Sequence, residues 1–157
     1  SFASRKDARV VGLDLNLSNP SLHRFFEVLA PGPIAAMIDG DVPVESHLQR
    51  ATVNLALGLS NATPADLGAV LDAAIFADFM SDMVQFLAPD LVICDLPPLL
   101  SGDGALSLLP SVDAVLVVAD ARSTRPAQIA QCERILQDQA EFLGVVLNHD
   151  TTIQAGH

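Results

Sequence analysis

The sequence contains no tyrosine and no tryptophan; its aromatic side chains are seven phenylalanines. A tyrosine phosphorylation target within these residues is therefore excluded. Cations are scarce, with eight Lys and Arg against nineteen Asp and Glu and a formal net charge of −11. Such a surface repels DNA, RNA and anionic lipid, so no nucleic-acid partner is expected. The one short cationic run, Arg5-Lys6-Asp7-Ala8-Arg9, reads as a solvated helix end. The two cysteines, Cys94 and Cys132, lack metal-ligand spacing and read as small core residues in a reducing compartment. No apolar run approaches the length of a membrane span and none has the pattern of a secretory leader, so a cytoplasmic location is expected. The phosphate-cradling pattern Gly-x-x-x-x-Gly-Lys-Ser/Thr does not occur. Gly102-Asp103-Gly104 is too short and too acidic to replace it.

Half of the 157 residues are apolar, which suits one domain with a sizeable core. The most informative stretch is Leu91-Val92-Ile93-Cys94-Asp95-Leu96-Pro97-Pro98. Its unbroken apolar run predicts a central parallel strand buried on both faces. The prolines stop the ladder, because proline donates no backbone N–H and restricts its predecessor. Asp95 then sits where open α/β sheets bind ligands. It reads either as a cap of the following turn or as a ligand or metal residue.

The same pattern recurs. Val10–Leu13 is a buried strand closed by Asp14 and Asn16, Ala114–Val118 leads to Asp120, and Phe142–Leu147 leads to Asn148. Val53–Leu59 reads as a further strand. Helical patterns are expected at Phe2–Lys6, Leu22–Leu29 with Ser21 as cap, Ile34–Ile38 and Val44–Arg50, the last with Glu45, His47 and Gln49 outward. Thr63-Pro64 with Asp66 predicts a strong helix start, with Leu67, Val70, Leu71, Ala74, Ile75, Phe79, Met83 and Phe86 inward and Pro89 as terminator. A short helix is expected from Ser101 to Leu109, ended by Pro110, and another from Pro126 to about Gln139, with Ile129, Cys132, Ile135 and Leu136 inward. Strands alternating with helices predict an α/β fold, a mainly parallel sheet with helices on both faces. The polar strand ends would then share one sheet edge. Two carboxylates there suit Mg²⁺ held together with substrate phosphates.

These residues resemble the bacterial tyrosine kinases of capsule and exopolysaccharide synthesis, the BY-kinases. Val10–Phe26, VVGLDLNLSNPSLHRFF, is similar to the family's second motif, an apolar run followed by Asp-x-Asp-Leu-Arg-x-Pro and Ser-Leu-His. Asp95–Pro98 resembles its Asp-x-Pro-Pro form of the Walker B motif, and the stretch from Asp113 to Asn148 resembles the remainder. Either motif alone also fits the wider deviant-Walker ATPases of chromosome partition and division-site placement. The resemblance implies a P-loop NTPase-like kinase domain over 1–150 with a loose tail over 151–157, ATP and Mg²⁺ as cofactors, and phosphoryl transfer to a tyrosine of a protein substrate. It implies Asp14 as the catalytic base near Mg²⁺, Asp95 as the magnesium holder through water, and Asn16 beside them at the nucleotide. Asn148 reads either as a recogniser of the base or as a strand-end cap. His23 matches the family's His; by itself it reads as a surface or capping residue.

The implied partner is a membrane polysaccharide-export or chain-length protein, which would recruit the chain to the inner face of the membrane, and self-association is left open. The sequence departs from the family at Asn16, where an Asp is usual, and at Ser18, where an Arg is usual; the family's tyrosine cluster has no counterpart. A non-catalytic regulatory relative is the alternative, and a partition-type ATPase the third reading. The family's first strand, P-loop and start of the first helix have no counterpart in these residues. They are expected to precede Ser1, with that strand flanked by the strands ending at Asp14 and Asp95.

Overall fold

The computed structural model describes residues 8–26, 28, 32–61 and 72–150. The expected helix at Phe2–Lys6, the Thr63 cap with Pro64, Asp66, Leu67, Val70 and Leu71, and the tail over 151–157 lie outside them. The chain divides into two compact units, Ser1–Leu108 and Leu109–His157.

The first unit is built on a four-stranded sheet in the order β2-β3-β1-β4. Strand β1 is Val10–Asp14, β2 Gln49–Thr52, β3 Leu55–Gly58 and β4 Leu91–Asp95. β1 runs parallel to both β3 and β4, and β2 is antiparallel to β3 at the edge. Every residue of β1 is buried, as its apolar run predicts. Arg9 and Asp90 fix where β1 meets β4. The Arg9 N–H donates to the Asp90 carboxylate at 2.7 Å, and the Asp90 N–H returns to the Arg9 carbonyl at 2.9 Å.

β1 and β4 pair directly, residue by residue from Val10↔Leu91 to Asp14↔Asp95, with no strand between them among the described residues; the strand expected there would precede Ser1. β4 is also less buried than its composition suggests, with Ile93 55% exposed. Its neighbour in the sheet is β1 on one edge, and Val92 and Cys94 face the core while Ile93 points the other way.

Helices α1 (Leu22–Phe26), α2 (Ile34–Ile38), α3 (Val44–His47) and α4 (Ala73–Leu87) complete the unit. The core joins Val11, Leu13 and Leu15 to Ile34 and Met37 of α2 and to Phe76, Phe79 and Met83 of α4. The predicted helix Val44–Arg50 stops at His47, because Leu48 turns extended and Gln49 opens β2. His47 is buried rather than outward, its Nε2 2.8 Å from the Leu59 carbonyl oxygen. The predicted strand Val53–Leu59 narrows to β3, with Val53 exposed in the turn before it.

In α4 the described helix begins after Asp72, whose carboxylate accepts from the Ala74 and Ile75 N–H groups at 2.9 and 3.1 Å. The cap fixes where the described helix starts, and packing against Leu13, Ile34 and Met37 fixes which face turns inward. Phe76, Phe79 and Met83 turn inward, whereas Ala74, Ile75 and Phe86, expected inside, are exposed. Ala88, with φ at 43°, ends the helix one residue before Pro89.

The expected short helix from Ser101 is a run of turns, followed by a 3₁₀ segment at Leu109–Ser111 that contains Pro110. Proline at the second position of a tight turn needs no N–H, so it starts this segment rather than ending the previous one.

The second unit pairs β5 (Ala114–Asp120) with β6 (Glu141–Asn148) in parallel, joined through α5 (Pro126–Leu136). Pro126 opens α5, and the Gln128 side chain accepts from the Arg125 N–H at 2.9 Å. Cys132 and Leu136 are buried and Ile129 and Ile135 partly so, as expected. The register shifts between Val115 and Leu116, leaving Leu143 unpaired before Gly144, whose φ is 129°. The expectation that these strands are buried on both faces is corrected. Helix α5 covers one face of a two-stranded ribbon, and Leu116, Leu143, Val146, Leu147 and Val118 (64%) are exposed. The parallel strands thus form two sheets among the described residues, where one was expected.

Candidate functional site

Asp14 and Asp95 close β1 and β4, and the direct register makes them partners at the carboxyl ends of adjacent parallel strands. Residues paired this way point to the same face of a sheet. The chain leaves together as well, since the Leu15 N–H donates to the Asp95 carbonyl at 2.9 Å.

Asp14 is fully buried. Its Oδ2 accepts the N–H groups of Ser21 and Leu22 at 3.0 and 3.1 Å. A turn closed by the Asn19 N–H on the Asn16 carbonyl at 3.0 Å folds the chain back, so that Asp14 fills the capping role expected of Ser21 for α1. Its other oxygen, Oδ1, is buried with no hydrogen-bond partner among the described residues. Burial pushes the Asp14 carboxyl above the usual range, opposed by the N–H groups of Leu22 and Ser21 and by His23. Burial also raises Asp95, and the neighbouring Asp14 charge raises it further. The strand ends therefore hold two carboxylates that repel one another and an oxygen lacking a donor. That arrangement favours a cation or a proton at this point.

His23 lies on α1, half-buried, with its Nδ1 also buried and without a partner among the described residues. The surface or capping reading of His23 does not describe this position. Spacing in the sequence gives no signal for it, because its electrostatic influence on Asp14 arises from the turn between them. Asn16 is half-buried, and its Oδ1 accepts from the Ser18 hydroxyl at 3.2 Å. Cys94, also on β4, is pushed up to about 11 by burial, which makes it an inert thiol at neutral pH.

In the second unit Asp120 and Asn148 are register partners. Asp120 Oδ1 accepts from the Arg122 N–H at 2.9 Å and lies 3.5 Å from His149 Nδ1. The Arg122 N–H is the main cause holding the Asp120 carboxyl below the usual range. Asn148 Oδ1 accepts from the His149 N–H at 2.9 Å, with His149 at a φ of 60°. The structure thus brings Asp14 together with Asp95, and Asp120 together with Asn148.

No protein-family model matches the sequence, and neither does any curated protein. Solved structures do. The chimerical protein CapA2B2 superposes with a TM-score of 0.76 at 17% identity, over 90% of this chain and 62% of its own. The VpsO kinase domain gives 0.74 at 21% identity, over 91% and 71%. The kinase domain of the Escherichia coli tyrosine kinase ETK gives 0.72 at 20% identity, over 98% and 62%. The chain thus spans about three-fifths of two of these three structures. The Aquifex aeolicus cell division protein MinD (TM-score 0.68, 16% identity) and a Mycobacterium smegmatis cobyrinic acid a,c-diamide synthase (0.67, 19%) are similar as well. The latter was solved with an ATP analog and magnesium bound. The fold is therefore a mixed α/β architecture with a mainly parallel sheet, similar to that of these kinase domains and of MinD. Among these similar structures are kinase domains of the kind the sequence motifs resemble.

Among the described residues no group of three or more His, Cys, Asp or Glu is placed to hold a metal. Magnesium does not require one. It binds through one or two carboxylates and completes its shell with waters and substrate phosphates. Asp95, Asp14 and the unpartnered Asp14 Oδ1 fit that demand.

Proposed function

We propose that the protein is a cytoplasmic nucleotide-binding protein of exopolysaccharide biosynthesis that acts as an ATP-dependent protein tyrosine kinase. The observation that supports it most is the Asp14–Asp95 pair, in register at two parallel strand ends, with one buried oxygen lacking a donor. In this reading Asp95 and Asp14 hold Mg²⁺, which when bound neutralises charge on the phosphates. Burial raises the proton affinity of Asp14, which suits it to accept the proton of an attacking tyrosine hydroxyl. Asn16 borders the same strand end and accepts or donates to groups around the phosphates. Asn148, whose Oδ1 is engaged by the His149 N–H, offers its amide N–H groups to the base. These 157 residues contain no tyrosine, so the acceptor lies outside them, in a partner or elsewhere in the full-length protein. A membrane polysaccharide-export protein is the partner that would draw the chain to the inner face of the membrane.

The test is transfer of labelled γ-phosphate from Mg-ATP to a tyrosine-containing copolymer by the full-length gene product. Transfer that falls at least 100-fold in Asp14→Asn supports the proposal. Its absence in folded protein that binds ATP contradicts catalysis and favours the second reading. In that reading the chain is a degenerate relative, a regulatory partner of the export protein. Asn16 and Ser18 favour it: two neutral side chains that bond each other at 3.2 Å replace an acid and a cation.

A further inference from the structure

The first unit carries a groove remote in character from the carboxylate pair. It lies between α4 and the α2–α3 segment and encloses about 490 Å³. One wall is a stripe on α4 at helical spacing, Ile75, Asp78, Asp82 and Phe86, above the buried Phe79 and Met83. The facing wall offers Met37, Val42 and Val44 with Asp39 and Glu45. Ile75 and Phe86 are 44% and 65% exposed, so large apolar side chains stand at both ends of the stripe. The four carboxylates along the walls make no ion pair among the described residues, and no Lys or Arg lines the groove. This is an apolar floor with a rim of one sign. Water leaves Ile75 and Phe86 unsatisfied, and an acidic occupant would be repelled.

We propose that this groove docks a cationic amphipathic peptide segment of a partner protein, with apolar anchors set against Ile75, Phe79 and Phe86. Lys or Arg side chains flanking those anchors would reach Asp39, Glu45, Asp78 and Asp82. The geometry is that of helix-in-groove recognition, in which apolar anchors give affinity and the charged rim selects the partner. A second copy of this chain is a poor occupant, because its net charge is −11. The surface is built without Asp14 and Asp95, so it stands apart from the nucleotide reading.

A displayed library of random 16-residue peptides, panned against the full-length protein, tests this. Enriched sequences are expected to combine apolar residues at three- and four-residue spacing with several Lys or Arg. Their affinity is expected to fall about tenfold or more in the double variant Asp78→Lys/Asp82→Lys. The double variant Glu133→Lys/Asp138→Lys, which changes net charge equally on the other unit, is expected to retain binding. Enrichment of neutral or acidic peptides, no enrichment, or equal loss in both double variants would overturn the proposal.

Discussion

Replacing Asp95 by Asn removes one of two like charges from adjacent strand ends while keeping the side chain's shape. Neighbouring strands lie about 4.8 Å apart, and two unit charges at that distance repel by about 1 kcal/mol in water and about 3.5 kcal/mol at an effective dielectric of about 20. No donor among the described residues bonds the Asp95 side chain, whereas Asp14 keeps its two N–H bonds. Asp95→Asn is therefore expected to stabilise the protein at pH 7.5 by about 1–2 kcal/mol, or roughly 2–4 °C in Tm for each kcal/mol. The pH dependence follows from the raised carboxyl. The folded state holds this proton more tightly than the unfolded chain, so wild-type stability is full below the unfolded carboxylate pKa, about 3.9. It falls as pH rises from there through the folded value. The advantage of Asp95→Asn should be absent near pH 3.5, grow through the window above it, and level off at neutral pH. Urea unfolding of both proteins across pH 3.5–7.5 measures it. Equal stability at every pH, or loss in the variant at pH 7.5, would refute the claim that these carboxylates repel one another.

Three further outcomes follow from the packing. Phe76→Ala empties a fully buried position in the core against Phe79 and should cost about 3–5 kcal/mol in urea unfolding. Gly58→Ala puts a Cβ 2.8 Å from Leu13 Cδ2 and 3.2 Å from Ile34 Cδ1, so a loss of about 1–3 kcal/mol is expected by the same measurement. Asp72→Ala removes the cap that accepts from Ala74 and Ile75 and should cost about 0.5–2 kcal/mol, with amide exchange rising first in the opening turn of α4.

The strands that carry the site were legible because apolar runs ending in Asp leave few other readings, and β1 and β4 lie where Val10–Leu13 and Leu91–Cys94 place them. What stayed hidden depends on contacts distant in sequence. The phase of α4 is not legible because its apolar residues fit two faces, and packing of Phe76, Phe79 and Met83 into the core chooses between them. His47 and β2 were missed because Val44–Arg50 suits a short helix, and pairing with β3 overrides that propensity. The Asp14 site was half legible. Its carboxylate was marked by the strand end, but its capping of α1 and the burial of His23 depend on a turn whose path composition does not specify. Burial on both faces was overestimated for β5 and β6 because an apolar run reports what a strand can bury, not how many neighbours cover it.

The central claim is that Asp14 and Asp95 form a magnesium–nucleotide site. Calorimetric titration of the full-length gene product with Mg-ATP tests it directly, with Asp95→Asn alongside. The account predicts micromolar binding that is lost in the variant and in the absence of magnesium. No binding by folded protein, or equal binding by Asp95→Asn, would contradict it.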